Sequence, residues 1–448
     1  MRSGNYIYLW VISIFLSMFF TNVFAQDDFI IEDEKGKFKQ RFELANDLVI
    51  VPVEINGREL SFLLDTGVNS TILFSLTETD TTLLNNPKVV YLKGLGVGKP
   101  LRALKSNHNT VKIGQAVNED HSVYIIEGGI INISNRIGVS VNGILGYDFF
   151  KNFVIEFNYK RKLMKVYNNE VYNYRNCSRC IDLPLKFYKD KPYIEANVEL
   201  NNGVSVKVDL LVDSGSSDAL WLFENSALNL HIPDKSFEDF LGFGITGSVY
   251  GFRSRISSLS LKKYDLDEIT VSFPDSLFIS AANSFEERDG SVGAQVLKRF
   301  NSVVDYSKKN LRLKPNGNFK DPFEYNMSGI VVQYNGYRIV KSGDTSTSDF
   351  QIERDSNGIT NAYTTSRNVF YSLESRYEVA EIRPESPAAL AGLMIGDEII
   401  KLNGRPVYKF NIHKIIQVLS SKEGKKIKLE IMRNGKLVEV EFRLERIL

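Results

Sequence analysis

Two short words of the chain, Leu63-Leu64-Asp65-Thr66-Gly67 and Leu211-Val212-Asp213-Ser214-Gly215, each run from an apolar stretch into a carboxylic acid, a hydroxyl and a glycine. Two carboxyl groups held close together cannot both ionise cheaply, so one gives up its proton readily and the other keeps it. Such a pair offers a base and an acid at one place. The base can draw a proton from water while the acid protonates a leaving nitrogen, which is what splitting an amide without a metal or a covalent nucleophile requires. The pair titrates as a unit, so neither Asp65 nor Asp213 is assigned base or acid at this level. Their neighbours suit the same task. Gly67 and Gly215 let the backbone turn sharply and bring amide N–H groups to the carboxylates. Thr66 and Ser214 can each bond across to the opposite copy's backbone, and Leu63, Leu64, Leu211 and Val212 bury the approach.

The elements that must position these acids are themselves repeated. The offset of 148 residues that carries Asp65 onto Asp213 also carries Gly94-Leu95-Gly96-Val97-Gly98 onto Gly242-Phe243-Gly244-Ile245-Thr246, followed by Gly247. Each copy thus has a glycine-rich segment able to form a hairpin over a cleft and exclude water. Gly143-Ile144-Leu145-Gly146 matches Gly290-Ser291-Val292-Gly293 after a shift of one residue, Phe153 matches Phe300, and Tyr159 matches Tyr306. These later glycines would let a strand pass close to each acid-bearing turn. Alternation through Val49–Ile55, a turn at Asn56-Gly57 and a run from Leu60 to Leu64 predict a β-hairpin ending at the first acid. Ile194–Leu200, Asn202-Gly203 and Val204–Val212 predict the same before the second. Strands dominate, with short helices expected after Gly146 and Gly293. The bland alternative is a β-barrel whose Asp and hydroxyl residues only satisfy turn amides; two acids, each with neighbours suited to a dyad, weigh against it.

Composition shifts near Asp321. Gly329-Ile330-Val331-Val332 reads as a strand, Ser342–Asn361 as a long polar excursion or loop, and Tyr377–Ile382 as another strand. Next come Ser386-Pro387-Ala388-Ala389-Leu390-Ala391-Gly392 and Gly396-Asp397-Glu398-Ile399-Ile400-Lys401-Leu402-Asn403-Gly404. They predict a short helix with a Ser cap and a first-turn Pro, a glycine stop, a strand and an Asn-Gly turn. An amphipathic Ile412–Leu419 helix and a hairpin turning at Asn434-Gly435 follow. This stretch resembles a PDZ domain, placed at residues 325–448 with its polar insertion at about 342–361. The resemblance implies capture of a carboxy-terminal or extended peptide by strand addition beside the Ile412–Leu419 helix; packing against the rest of the chain is the alternative. Asn368–Leu373 is the candidate for the carboxylate-binding loop, with Phe370, Tyr371, Ser372 and Leu373 as groove residues.

Phe42 to Leu313 resembles the two lobes of a pepsin-type or retropepsin-type aspartic protease fused in one chain, and the whole resembles bacterial aspartyl proteases with a carboxy-terminal PDZ domain. The fold class expected is therefore mainly β: duplicated β-barrel lobes at 42–170 and 184–320, an interlobe linker at 171–183, then the PDZ domain. The resemblance implies that Asp65 and Asp213 are the catalytic aspartates, that Thr66, Gly67, Ser214, Gly215 and Ser216 support them, and that Gly94, Gly96, Gly98, Gly242, Gly244 and Gly247 mark flaps. Two departures stand out. Val68 follows Gly67 where pepsin-like enzymes usually place a small hydroxyl residue, although the second copy keeps Ser216, and no tyrosine can be assigned to the flap tip.

Arg2, an apolar run from Tyr6 to Phe20 and Val23-Phe24-Ala25 predict a secretory signal peptide at 1–25, cut after Ala25, with a charged, exposed lead-in at 26–41. The apolar run is short for a bilayer span, so a periplasmic or secreted chain without a stable membrane span is expected. With 55 Lys plus Arg against 54 Asp plus Glu, nothing marks a nucleic-acid surface. Cys177 and Cys180 read as a local disulfide in an oxidising compartment. Their neighbourhood lacks the βαβ context of a redox motif, and the four histidines stand in no ligand-like spacing, so no metal or organic cofactor is expected. Neither a Gly-x-Ser-x-Gly elbow nor a His-Glu-x-x-His word occurs. The expectation is an exported aspartic endopeptidase acting on polypeptides. The competing one is a catalytically silent protein that binds peptides in the cleft and the PDZ groove.

Overall fold

Each acid sits where a hairpin strand ends. In the first copy Asn56 and Gly57 both take positive φ (48° and 86°), the conformation of a tight two-residue turn. It joins Leu48–Ile55 to Arg58–Leu64 with Ile50 opposite Leu63. Beyond Asp65 the chain forms Thr71–Phe74, travels out through long strands and returns as Gly143–Leu145, parallel to Arg58–Leu64 and antiparallel to Thr71–Phe74. The second copy repeats this with Lys191–Glu199, Ser205–Val212, Leu220–Leu222 and Gly290–Val292, the last parallel to Ser205–Val212 with Val292 beside Val212. Short helices follow at Tyr147–Phe150 and Ala294–Leu297. The chain must touch the acid-bearing turns there: a Cβ on Gly146 would collide with the Val68 carbonyl, and one on Gly293 with the Asp218 carbonyl. These positions need glycine for space alone.

The computed structural model describes residues 28–74, 85–92, 100–126, 133–244, 247–279, 288–345, 352–354, 360–362 and 368–448. The expected signal peptide at 1–25 and the first glycine-rich segment, with Gly94, Gly96 and Gly98, lie outside the described residues.

A six-stranded sheet joins the copies, in the order Ile181–Pro184, Asn310–Pro315, Phe300–Asp305, Phe153–Asn158, Leu163–Asn168, Lys37–Arg41. Its middle seam pairs Val154 with Asp305 and Phe157 with Ser302, one strand from each copy. The lead-in is therefore not a free exposed segment. Lys37–Arg41 is an edge strand of this sheet, and Phe29, Ile31 and Phe38 are buried. Charged residues spaced between those apolar ones hide a strand whose single inward face suffices. The expected linker likewise ends in a strand, Ile181–Pro184, just after a Cys177–Cys180 disulfide. One continuous apolar core, including Phe62, Phe149, Phe150, Phe273 and Phe300, runs under both copies.

A second core gathers residues from Tyr325 to Leu448. Here Ser386 Oγ accepts from the Ala389 amide to open the Pro387–Leu390 helix, and Asn411 Oδ1 accepts from Lys414 N (2.9 Å) to open Ile412–Leu419. The Lys426–Arg433 and Lys436–Arg443 strands turn through Asn434 and Gly435, both at positive φ. Where it is described, the polar stretch expected as a loop is strand. Ile330–Thr345 and Asn368–Ile382 pair as a long two-stranded arm, Thr345 opposite Asn368, with a smaller pair of strands, Ile352–Arg354 and Thr360–Ala362, between them. Tyr337, Ile339, Tyr371 and Leu373 on this arm are exposed. Ile330, Val332, Tyr377 and Val379 anchor the base of the arm in the second core, and beyond them it has no inward face and so no alternation to read.

Candidate active site

The two acid-bearing turns meet across the joint between the copies and hold each other by reciprocal bonds. Thr66 Oγ1 donates to the Val212 carbonyl (2.6 Å) and accepts from the Ser214 amide (3.0 Å). Ser214 Oγ donates to the Leu64 carbonyl (2.9 Å) and accepts from the Thr66 amide (3.0 Å). Each hydroxyl thereby satisfies one donor and one acceptor of the opposite strand, groups that would be costly to bury unpaired. Behind the turns the returning strands close a second set of matched bonds: Asp65 N to Leu145 O (3.0 Å) and Asp213 N to Val292 O (2.9 Å).

This frame brings the carboxylates together. Gly67 N donates to Asp65 Oδ1 (2.7 Å) and Gly215 N to Asp213 Oδ1 (3.1 Å). A Cβ placed on Gly67 would stand 3.1 Å from an oxygen of each aspartate, and one on Gly215 would strike the Asp65 carboxylate. Ser216 follows directly, and its amide N–H faces the Asp213 carboxylate. Burial, and then the charge of Asp213, raises Asp65 above the ordinary carboxylate value, against the opposing pull of the Gly67 amide, Lys191 and the Gly215 amide. Burial also raises Asp213, but Arg288, Lys191 and the amides of Gly215 and Ser216 favour its ionised form. A pair so placed shares a proton more readily than it loses both.

Sequence reasoning missed both cations. Arg288 is buried, with Nε donating to the Gly290 carbonyl (3.1 Å) and its guanidinium over the Phe223 ring (5.1 Å to the centroid). Lys191 opens the Lys191–Glu199 strand of the second copy. Neither sits in a motif, and only strand pairing reveals that they flank Asp213.

Of the expected flaps, Gly242, Gly244 and Gly247 fall in a hairpin of Ser236–Gly244 and Gly247–Leu261, with Gly244 opposite Gly247. Its Phe240 and Phe243 rings cover the guanidinium of Arg136, at 5.5 and 4.6 Å to their centroids. Arg136 lies on a short helix, Ile133–Ile137, and stands 3.7 Å from Glu381, which also accepts from Tyr250 Oη (3.5 Å). That helix packs against both the Ile330–Thr345 strand and the Ile412–Leu419 helix. The expected PDZ loop residues are placed otherwise than the sequence implied. Phe370, Tyr371, Ser372 and Leu373 stand in a paired strand, opposite Gly343, Lys341, Val340 and Ile339, not in a loop. The turn that does enter the Ile330–Thr345 strand holds Met327, whose amide donates to Leu419 O at the end of the Ile412–Leu419 helix (3.2 Å).

Fold and sites define a mainly β chain that carries an aspartyl protease domain and a carboxy-terminal PDZ domain. Residues 51–149 match the family model described as aspartyl protease, and residues 378–433 match that of a PDZ domain. Among curated proteins, the chain is similar to the periplasmic pH-dependent serine endoprotease DegQ of Escherichia coli K12, 40% identical over 67 residues, which is 15% of this chain and 14% of that protein. It is similar also to the probable periplasmic serine endoprotease DegP-like of Pseudomonas putida W619 (44% over 59 residues; 13% of this chain, 12% of that protein). The third is the periplasmic serine endoprotease DegP of Salmonella typhimurium LT2 (38% over 68 residues; 15% and 14%). The chain thus spans about one-seventh of the length of these relatives. Among the described residues no helix is long and apolar enough to cross a membrane.

Proposed function

We propose that this chain is an exported aspartic endopeptidase that cleaves polypeptides between Asp65 and Asp213. The observation that carries the reading is the convergence of two carboxylates, Asp65 buried and Asp213 partly buried, one from each copy, on a frame of reciprocal Thr66 and Ser214 bonds. In the reaction, the ionised carboxylate takes a proton from a water whose oxygen bonds to the scissile carbonyl carbon. The protonated partner donates to the carbonyl oxygen; the proton taken from water then passes to the leaving nitrogen as the C–N bond breaks, and a hydroxyl of the tetrahedral intermediate returns its proton to the partner. Thr66, Gly67, Ser214, Gly215 and Ser216 hold the acids, and the hairpin carrying Gly242, Gly244 and Gly247 serves as one flap. Gly94, Gly96 and Gly98 would supply the other.

Asp65 lies within the stretch that matches the aspartyl protease family, and Asp213 stands in the equivalent turn of the second copy. The serine chemistry in the relatives' names rests on stretches of 59 to 68 residues, too short to carry a whole protease's mechanism to this chain. We further assign residues 1–25 to a cleaved signal peptide, 42–170 and 184–320 to the lobes, 171–183 to their linker, and 325–448 to a PDZ domain that takes a peptide substrate or ligand by strand addition. The test is cleavage of an unfolded protein by the mature chain across pH 3 to 8 (roughly the window in which carboxyl pairs titrate), with and without pepstatin, beside Asp65→Asn. Pepstatin-sensitive cleavage that Asp65→Asn abolishes is expected. A folded sample that binds peptides and cleaves none would replace this reading with a silent peptide binder.

A further inference from the structure

The two copies superpose bond for bond around the acids, and two positions break the match. Continuing the Ile50–Leu63 register by two residues sets Leu48 opposite Asp65, and continuing Tyr193–Leu211 by two sets Lys191 opposite Asp213. Residues two apart on a strand share a face, so Lys191 lies on the same side as the acid it opposes. The second break is on the returning strand. Asn142 and Asp289 are equivalent: their amides donate to Ser61 O and Asp209 O, their carbonyls accept from Phe74 N and Phe223 N, and their side-chain oxygens accept from Ser61 N and Asp209 N. The residues just before them are Val141, fully buried, and Arg288. Beside the first acid the matching positions are therefore Leu48 and Val141, both buried in the apolar core of the first copy. Beside the second they are Lys191 and Arg288.

A partly buried cation is costly unless negative charge bears on it. Lys191 is partly buried and forms no ion pair among the described residues; burial and Arg288 oppose its charge, and the Asp65 and Asp213 pair favours it. Arg288 is spent on the Gly290 carbonyl and the Phe223 face, which fixes its charge behind Lys191. With no salt-bridge partner among the described residues, the Lys191 ammonium can take a second anion besides the aspartate pair.

Resting on the protease reading above, we propose that Lys191, backed by Arg288, is a specificity-determining residue that receives an aspartate or glutamate side chain of the substrate beside the scissile bond, on the side of the second copy. The acid of the substrate thus stands on a fixed side of the cleaved bond.

The experiment uses the mature chain and peptides that differ only by Glu against Gln at each position flanking the cleaved bond. At one position wild type should favour Glu by about tenfold or more in kcat/KM, with most of the difference in KM. Lys191→Met should erase that ratio and Lys191→Arg should retain it, each checked by its melting temperature; Lys191→Arg keeps the test alive should the methionine variant fail to fold. An equal Glu/Gln ratio in wild type at every position overturns the inference. So does a Lys191→Met ratio equal to wild type accompanied by a shifted pH profile, which would assign Lys191 to the charge of the dyad instead. Absence of any cleavage that depends on Asp65 removes the protease reading itself and this inference with it, an outcome distinct from cleavage without acid preference.

Discussion

The first and second copies reach one backbone through sequences that barely agree. Residues 51–149 match the family model, which ends before Asp213. Yet the second copy reproduces the parallel strand beside the acid, the glycine that follows it, the short helix and the cross-bonding hydroxyl. What both copies keep is what the turn needs: an acid, a hydroxyl and a glycine at the end of a buried strand, and a second glycine where the returning chain passes. What they do not keep is the hairpin before the acid, which is five residues longer in the second copy, since Leu63 and Leu211 are 148 apart while their partners Ile50 and Tyr193 are 143 apart. A duplicated active site thus tolerates drift wherever the backbone can absorb it and resists drift where two turns must interlock.

The strongest way to break this comparison is to remove one acid at a time. Asp65→Asn and Asp213→Asn should each lower kcat/KM for an unfolded substrate by about a thousandfold or more, and to the same degree, because a shared proton needs both groups. Retention of activity within tenfold in either variant would mean that the copies are not equivalent partners. The cross-bonds come next. Thr66→Ala and Ser214→Ala each strand a carbonyl and an amide of the opposite turn, so urea unfolding should show each losing about 2 kcal/mol or more, by similar amounts. Thr66→Ser and Ser214→Thr should lose far less. A large inequality between the alanine variants would show that one hydroxyl carries the frame.

A smaller effect sharpens the electrostatic side. Both acids are raised in the folded chain, so folding holds protons that the unfolded chain releases above about pH 4. The stability tied to those protons is full below the unfolded value and is lost as pH rises through the folded one. Asp65→Asn cannot lose it. Its melting temperature should therefore exceed that of wild type by about 2 °C or more near neutral pH, with the gap shrinking toward pH 4; a gap that is constant with pH would contradict the raised value. Wild-type cleavage should likewise persist above the ordinary carboxylate range before it falls. The smallest effect is outside both copies. Replacing Cys177 and Cys180 by serine opens a loop of only a few residues and should cost about 2 kcal/mol or less, leaving cleavage unchanged.

The acids, their cross-bonding neighbours and the Ile412–Leu419 helix could be read directly, because each is written in local words: a triplet at a strand end, or a helical stripe after an Asn cap. The paired hairpins were equally legible at Asn56-Gly57 and Asn434-Gly435. What could not be read is set by pairing between distant segments. Lys37–Arg41 becomes a strand only because Leu163–Asn168 lies beside it. The Ser342–Thr345 stretch is strand only because pairing as far as Thr345–Asn368 reaches along the arm. Lys191 is opposite an acid only through a register that the longer hairpin shifts out of the 148-residue offset. Arg136 joins the hairpin of Ser236–Gly244 and Gly247–Leu261 to Glu381 through aromatic faces that no motif announces.

The seam where Phe153–Asn158 of one copy pairs with Phe300–Asp305 of the other has a consequence for how such a molecule can be made and regulated. An assembly of two identical chains comes apart on dilution, and both of its halves change with every mutation. Here the tether and the shared sheet make the meeting of the two turns a property of a single molecule at any concentration. Each half is then free to accumulate its own substitutions, and the unlike floors under Asp65 and Asp213 are what that freedom permits.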